Sequence, residues 1–134
     1  MLDNCVLVGD SIAVGIAPYT KCEIQAKIGR SAQSAYANSW QLNAQTTIIS
    51  LGSNDINDPN LESILQKLRK DITSEVVIWI VPYNSKVRQI VLKVAQANKD
   101  SYVNLQPFPT VDGVHPNNYR AVTDTVEKVY QGTF

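Results

Sequence analysis

The sequence predicts an α/β fold: a parallel sheet with helices packed on both faces. Two observations carry that prediction. Short apolar, β-branched runs alternate with longer segments whose apolar residues recur at helical spacing, the pattern of right-handed strand–helix–strand crossovers. Most of the runs also end in Gly or Pro (Gly9, Gly29, Gly52, Pro82), residues that break a strand and turn the chain. The strand-to-helix loops then gather on one rim of the sheet, where ligands bind in open parallel sheets. At 134 residues the chain has the length of one domain, 1–134, with a real core.

Residues 5–8, Cys-Val-Leu-Val, form the continuous apolar run of a buried parallel strand. Gly9 ends the run, and Ser11 falls where a short helix can begin and continue to Ala17, before Pro18 stops it. Residues 22–28 alternate strictly, with Cys22, Ile24, Ala26 and Ile28 on one face, so this strand is half-exposed and lies at a sheet edge. A helix over 32–42 turns Ala35, Tyr36 and Trp40 inward. Residues 46–51 are the third strand. Asp58 as cap and Pro59 in the first turn open the next helix, in which Leu61, Ile64, Leu65, Leu68 and Ile72 share one face. The most apolar segment, 76–81, reads as a central strand. A helix from near Ser85 presents Val87, Ile90, Val91, Val94 and Ala95 inward, and residues 102–105 are a weaker last strand. Pro116 opens the final helix, with Tyr119, Val122, Val126 and Val129 on its inner face.

Lys plus Arg and Asp plus Glu number twelve each, with no long run of either sign. Nucleic acid and anionic membrane surfaces both demand a basic patch, so neither is expected as a partner. No apolar stretch reaches membrane-spanning length. No leader is expected either, because the first apolar run is short and already serves as the first strand. That leaves the compartment open between cytoplasm and cell wall, and no motif sets the oligomeric state. Cys5 and Cys22 are too few for a disulfide framework and read as buried small hydrophobes. Both open neighbouring strands, so one bridge between them is geometrically conceivable.

The chemistry-bearing residues sit in the loops. Ser11, taken alone, reads as a helix cap. His115 is the only histidine, and Asp112 stands three residues before it. An imidazole takes a proton from a serine near neutral pH, and a carboxylate at that spacing can turn back to fix its tautomer. Acyl transfer also needs donors where an oxyanion forms. The N–H of Ser11, the N–H of Gly29 and the amide of Asn54 all fall on the predicted rim. Gly29 reads equally as a turn glycine, and Asn54 as part of an Asx turn. Asp10 is expected to bond nearby backbone, and Arg30 to be a solvated surface arginine unless it meets an anionic substrate group.

No cofactor or metal is expected. Gly9-x5-Gly15 lacks the Lys-Ser/Thr of a phosphate loop. Asp55-Ile56-Asn57-Asp58 lacks the glycine and glutamate of a calcium loop, and one histidine with two separated cysteines makes no zinc site.

Taken together, Gly9-Asp10-Ser11, Gly29, Gly52-Ser53-Asn54-Asp55, the Val81-Pro82 strand end and Asp112-Gly113-Val114-His115-Pro116 resemble the motifs of the SGNH (GDSL-type) hydrolases over nearly the whole chain. The resemblance implies a flavodoxin-like three-layer α/β/α sandwich with strand order 2-1-3-4-5. That order places the alternating second strand and the weak fifth strand at the edges. It implies Ser11 as nucleophile, His115 as base and then acid, Asp112 as its orienter, and Ser11, Gly29 and Asn54 as the oxyanion hole. The chain is short for the family, and its second block reads Gly29-Arg30-Ser31-Ala32, where a further glycine is common.

The expected function is hydrolysis of carboxylic esters through an acyl-enzyme. Short loops favour a small acyl group, such as acetyl on a sugar or cell-wall glycan. Lipase or thioesterase action is the enzymatic alternative. The rivals from other classes are a non-catalytic binding or structural module of the same fold, and a flavodoxin-like flavin or phosphoacceptor protein.

Overall fold

The computed structural model describes residues 2–39 and 42–132. Strands β1 (Cys5–Gly9), β2 (Glu23–Ala26), β3 (Thr46–Ser50), β4 (Val76–Val81) and β5 (Ser101–Asn104) form one parallel sheet in the order β2-β1-β3-β4-β5. The helices are α1 (Ser11–Ile16), α2 (Ala32–Asn38), α3 (Leu61–Lys70), α4 (Ser85–Ala97) and α5 (Tyr119–Gly132). A 3₁₀ turn, Ala17–Tyr19, follows α1.

The two faces of the sheet bury separate layers, as a doubly covered parallel sheet requires. On one face Val6, Val8, Ile49, Val77, Trp79 and Val81 pack under α2, α3 and α4. On the other, Leu7, Ile48, Ile78, Ile80 and Val103 pack under α1 and α5. β4 contributes alternate residues to both layers and is buried along its whole length, which accounts for its unbroken apolar run. Arg69 clamps Asp100 with two hydrogen bonds of 2.7 and 2.9 Å, and the indole N–H of Trp79 donates to the same carboxylate. The buried carboxylate and indole N–H are thereby satisfied.

Several local expectations are corrected. The helix after β1 ends at Ile16, before Pro18 as expected, and the chain continues as a 3₁₀ turn in which proline costs no hydrogen bond. β2 spans only four residues, and its apolar face is only partly covered: Cys22 is buried and Ala26 packs against the core, but Ile24 is 54 % exposed and Ile28, beyond the strand, 73 %. Ile24 does lie on the same face as its neighbour Leu7, but an edge strand runs out beyond the helices that cover the centre. α2 ends at Asn38, and Trp40 lies outside the described residues. α3 starts after Asn60 rather than Asp58, because the Asp58 carboxylate accepts from the Asn60 N–H in a turn that precedes the helix. α5 starts at Tyr119, with the Asn118 side chain accepting from Ala121 N, while Pro116 pairs with Thr110 in an isolated bridge.

Cys5 and Cys22 are not free thiols but form a disulfide. The bridge ties the start of β1 to the residue preceding β2 and closes the segment that carries Ser11. Closing a loop of this length removes about 3 kcal/mol of unfolded-state entropy. The separation of 17 residues alone carries no signal of pairing; adjacency in the sheet brings the sulfurs together.

Candidate active site

The site is assembled where β1, β2, β3 and the loop after β5 meet. Gly9 ends β1 against β3, and the Asp10 N–H donates to Ser50 O at 3.0 Å. Asp10, not Ser11, caps α1: its Oδ1 accepts from Ile12 N at 3.1 Å. Ser11 is therefore the first helical residue, its hydroxyl free for other work and its N–H without an intrahelical partner.

That hydroxyl lies 2.7 Å from Nε2 of His115, and Nδ1 of the same ring lies 2.7 Å from Oδ2 of Asp112. The other carboxylate oxygen of Asp112 accepts from the backbone N–H of Val114 at 2.9 Å and of His115 at 2.7 Å. These backbone and ring donors hold the Asp112 carboxyl well below the usual carboxylate range. An ionised Asp112 can only accept, so Nδ1 carries the proton. Nε2 is then the acceptor and Ser11 the donor.

Thr110, which the sequence did not single out, braces this loop: its hydroxyl donates to His115 O at 2.7 Å and accepts from Gly113 N at 3.0 Å. Only its position two residues before Asp112 hints at that role. The His115 and Asp112 side chains are 40 % and 53 % exposed, so the site is open.

The two further oxyanion candidates lie on the same rim. Gly29 is the third residue of a turn closed by Arg30 N to Lys27 O at 3.1 Å, and its φ of +79° needs glycine. The Asn54 amide donates to Arg30 O at 3.0 Å, joining the loops after β2 and β3. Neither residue hydrogen-bonds Ser11, so the direct contacts unite Ser11, His115 and Asp112 and leave Gly29 and Asn54 at the margin.

Beside them, Ser53, Ile56, Tyr83, Asn84, Gly113 and Val114 line a cavity of about 150 Å³. The Tyr83 hydroxyl donates to Phe108 O at 2.9 Å and so fixes one wall. Ile56 and Tyr83 had no motif to mark them; their role comes from the approach of three separate loops.

Asp10 is fully buried, and its Oδ2 has no hydrogen-bond partner among the described residues. Burial pushes its carboxyl up to about 6, with the charge of Asp55 adding to the effect and the bonds from Ile12 and Ser50 opposing it. Desolvation, with the charges of Asp10 and then Asp112 adding to it, raises the Tyr119 phenol to about 12. The folded-state value of Asp10 lies above its ordinary 3.8. Its contribution to stability is thus complete below pH 4, is lost as pH rises to about 6, and is flat above that. Asp10→Asn keeps an acceptor for Ile12 N and cannot ionise. It should gain about 2–3 kcal/mol relative to wild type between pH 4 and pH 7 in urea unfolding; a pH-independent difference would refute the linkage.

No protein-family model and no curated protein sequence matches the chain. Solved structures do. A lipase/acylhydrolase from Enterococcus faecalis superposes with a TM-score of 0.75 at 18 % identity, covering 96 % of this chain and 95 % of that one. A GDSL-like lipase from Bacteroides thetaiotaomicron gives 0.69 at 16 % identity, over 96 % of this chain and 86 % of that one. A carbohydrate acetylesterase family member from Sinorhizobium meliloti gives 0.64 at 14 % identity, over 95 % and 96 %. The sheet order and the helices on both faces are those of the three-layer sandwich. In fold, and in the motifs that meet at its sheet edge, the chain resembles the SGNH (GDSL-type) hydrolases.

Proposed function

We propose that this chain is a metal-independent serine esterase that works through an acyl-enzyme, with short acyl groups as its substrates. The unbroken relay from Ser11 through His115 to Asp112, 2.7 Å at each step, carries this reading. Nε2 of His115 takes the Ser11 proton as Oγ attacks the ester carbonyl, and Asp112 stabilises the imidazolium. His115 returns the proton to the departing alkoxide, leaving the acyl group on Ser11. Water, deprotonated by the same imidazole, then releases the carboxylic acid. The Ser11 and Gly29 N–H groups and the Asn54 amide are the assigned donors to the oxyanion, each worth about 10²–10³ in turnover.

Two observations support a short acyl group. The cleft lined by Gly113 and Val114, which precede His115, has a volume of about 150 Å³, on the scale of a small acyl group rather than a buried long chain. One solved structure of this fold is a carbohydrate acetylesterase family member, which supports acetyl on a sugar or glycan as the substrate. A fluorophosphonate should label the protein, and a series of p-nitrophenyl esters should be cleaved fastest at acetate to butyrate. No labelling of the folded protein would favour a non-catalytic module, and a preference for long chains would favour a lipase.

A further inference from the structure

Arg30 follows Gly29 in the loop after β2, on the rim of this site, and its guanidinium has no anionic partner among the described residues. The Arg30 carbonyl holds the Asn54 amide. Lys27 N donates to Gly9 O at 3.1 Å, so this turn is stitched to the residue two before Ser11. The side chain is half-buried and anchored by one hydrogen bond, Nη1 to Gln25 O at 3.3 Å. Its Nε is buried with no acceptor, and no carboxylate among the described residues pairs with it. The sealed Nε cannot reach a ligand, so the Nη end of the guanidinium is what remains to bind one, with the charge and the adjacent N–H donors to take a carboxylate.

Its position selects which part of an ester it meets. β1, which presents Ser11, lies between β2 and β3. The small cavity is built from the loops after β3 and β4 and from Gly113 and Val114. An acyl group seated there leaves the alcohol portion on the opposite side, towards β2 and Arg30.

We propose that Arg30 is a specificity determinant that binds a carboxylate on the alcohol part of the ester, so that the preferred substrate is an O-acylated acidic sugar. This rests on the esterase reading above. The test compares O-acetylated polygalacturonate with O-acetylated glucomannan, a neutral glycan, using p-nitrophenyl acetate as the common reference. Wild type should favour the acidic glycan. Arg30→Gln should lower the ratio of kcat/KM, acidic over neutral, by about tenfold to a hundredfold, through KM rather than kcat. Arg30→Lys should fall between, because it keeps the charge and loses the fork. An equal loss on both glycans, or an unchanged ratio, overturns the proposal. Calorimetric binding of oligogalacturonate to Ser11→Ala, with and without Arg30→Gln, separates the two readings. Arg30-dependent binding, with a wild type that hydrolyses none of the esters, would sink the hydrolase alone; binding indifferent to Arg30, with wild-type esterase activity intact, would sink this inference alone.

Discussion

Ser11→Ala is expected to lower kcat/KM on p-nitrophenyl acetate by about 10⁴-fold or more and to abolish fluorophosphonate labelling. The hydroxyl removed is the one 2.7 Å from Nε2 of His115, and among the described residues no other side chain bonds that nitrogen. His115→Ala should cost about as much, since a nucleophile without its base and a base without its nucleophile fail at the same step. The double variant should be scarcely slower than either single one, because the pair acts as a unit and the residual rate comes from the oxyanion donors and binding. Losses that multiply in the double variant would mean the two side chains work independently. Both variants should keep the wild-type unfolding midpoint to within a few degrees, since Ser11 is not the α1 cap and His115 is 40 % exposed.

Gly9→Ala should produce the largest loss of stability. A Cβ at Gly9 would lie 2.2 Å from Ser50 O, 2.9 Å from the Ala13 Cβ and 3.0 Å from the Ser50 carbonyl carbon. Two of these are backbone atoms of the neighbouring strand, so no rotamer change relieves the clash, and β1 must part from β3. Overpacking of this kind costs about 3 kcal/mol or more, a fall in Tm of roughly 10 °C for a chain of this size. Activity should fall with it, because the Asp10 N–H to Ser50 O bond that sets the turn before Ser11 is the first contact displaced. Gly132→Ala is the matched control. A Cβ there meets nothing within 4 Å, and the change should be neutral or stabilising by up to about 1 kcal/mol. Equal thermal shifts in the two variants would show that the close approach of β1 and β3 does not limit stability.

Much of this architecture is written in local pattern. The β4 run, apolar on both faces, can only be a central strand, and the periodic faces of α3 and α4 mark what they bury. Ser11, Asp112 and His115 were legible for a similar reason. Serine after a strand end and Asp-x-x-His in a loop are short-range patterns, and the Asp112–His115 bond joins residues three apart. Helix starts were less legible, because Asp58, Asn60, Pro116 and Asn118 are all competent turn or cap residues. The choice among them depends on where the loop must end to dock its helix.

By itself the sequence determined the α/β class, the periodic faces and the residue types available at each strand end, since these depend on neighbours a few positions away. Only the tertiary structure decided that Cys5 meets Cys22, that Ile24 on an edge strand stays exposed, and that Asp10 is sealed without a partner for Oδ2 among the described residues. It also decided that Arg30 stands beside the site with no carboxylate partner among the described residues, and that loops after β3, β4 and β5 line a small cleft. Each of these is a property of surfaces brought together from distant parts of the chain. Burial, pairing and enclosed volume come into being only when the sheet closes on its helices.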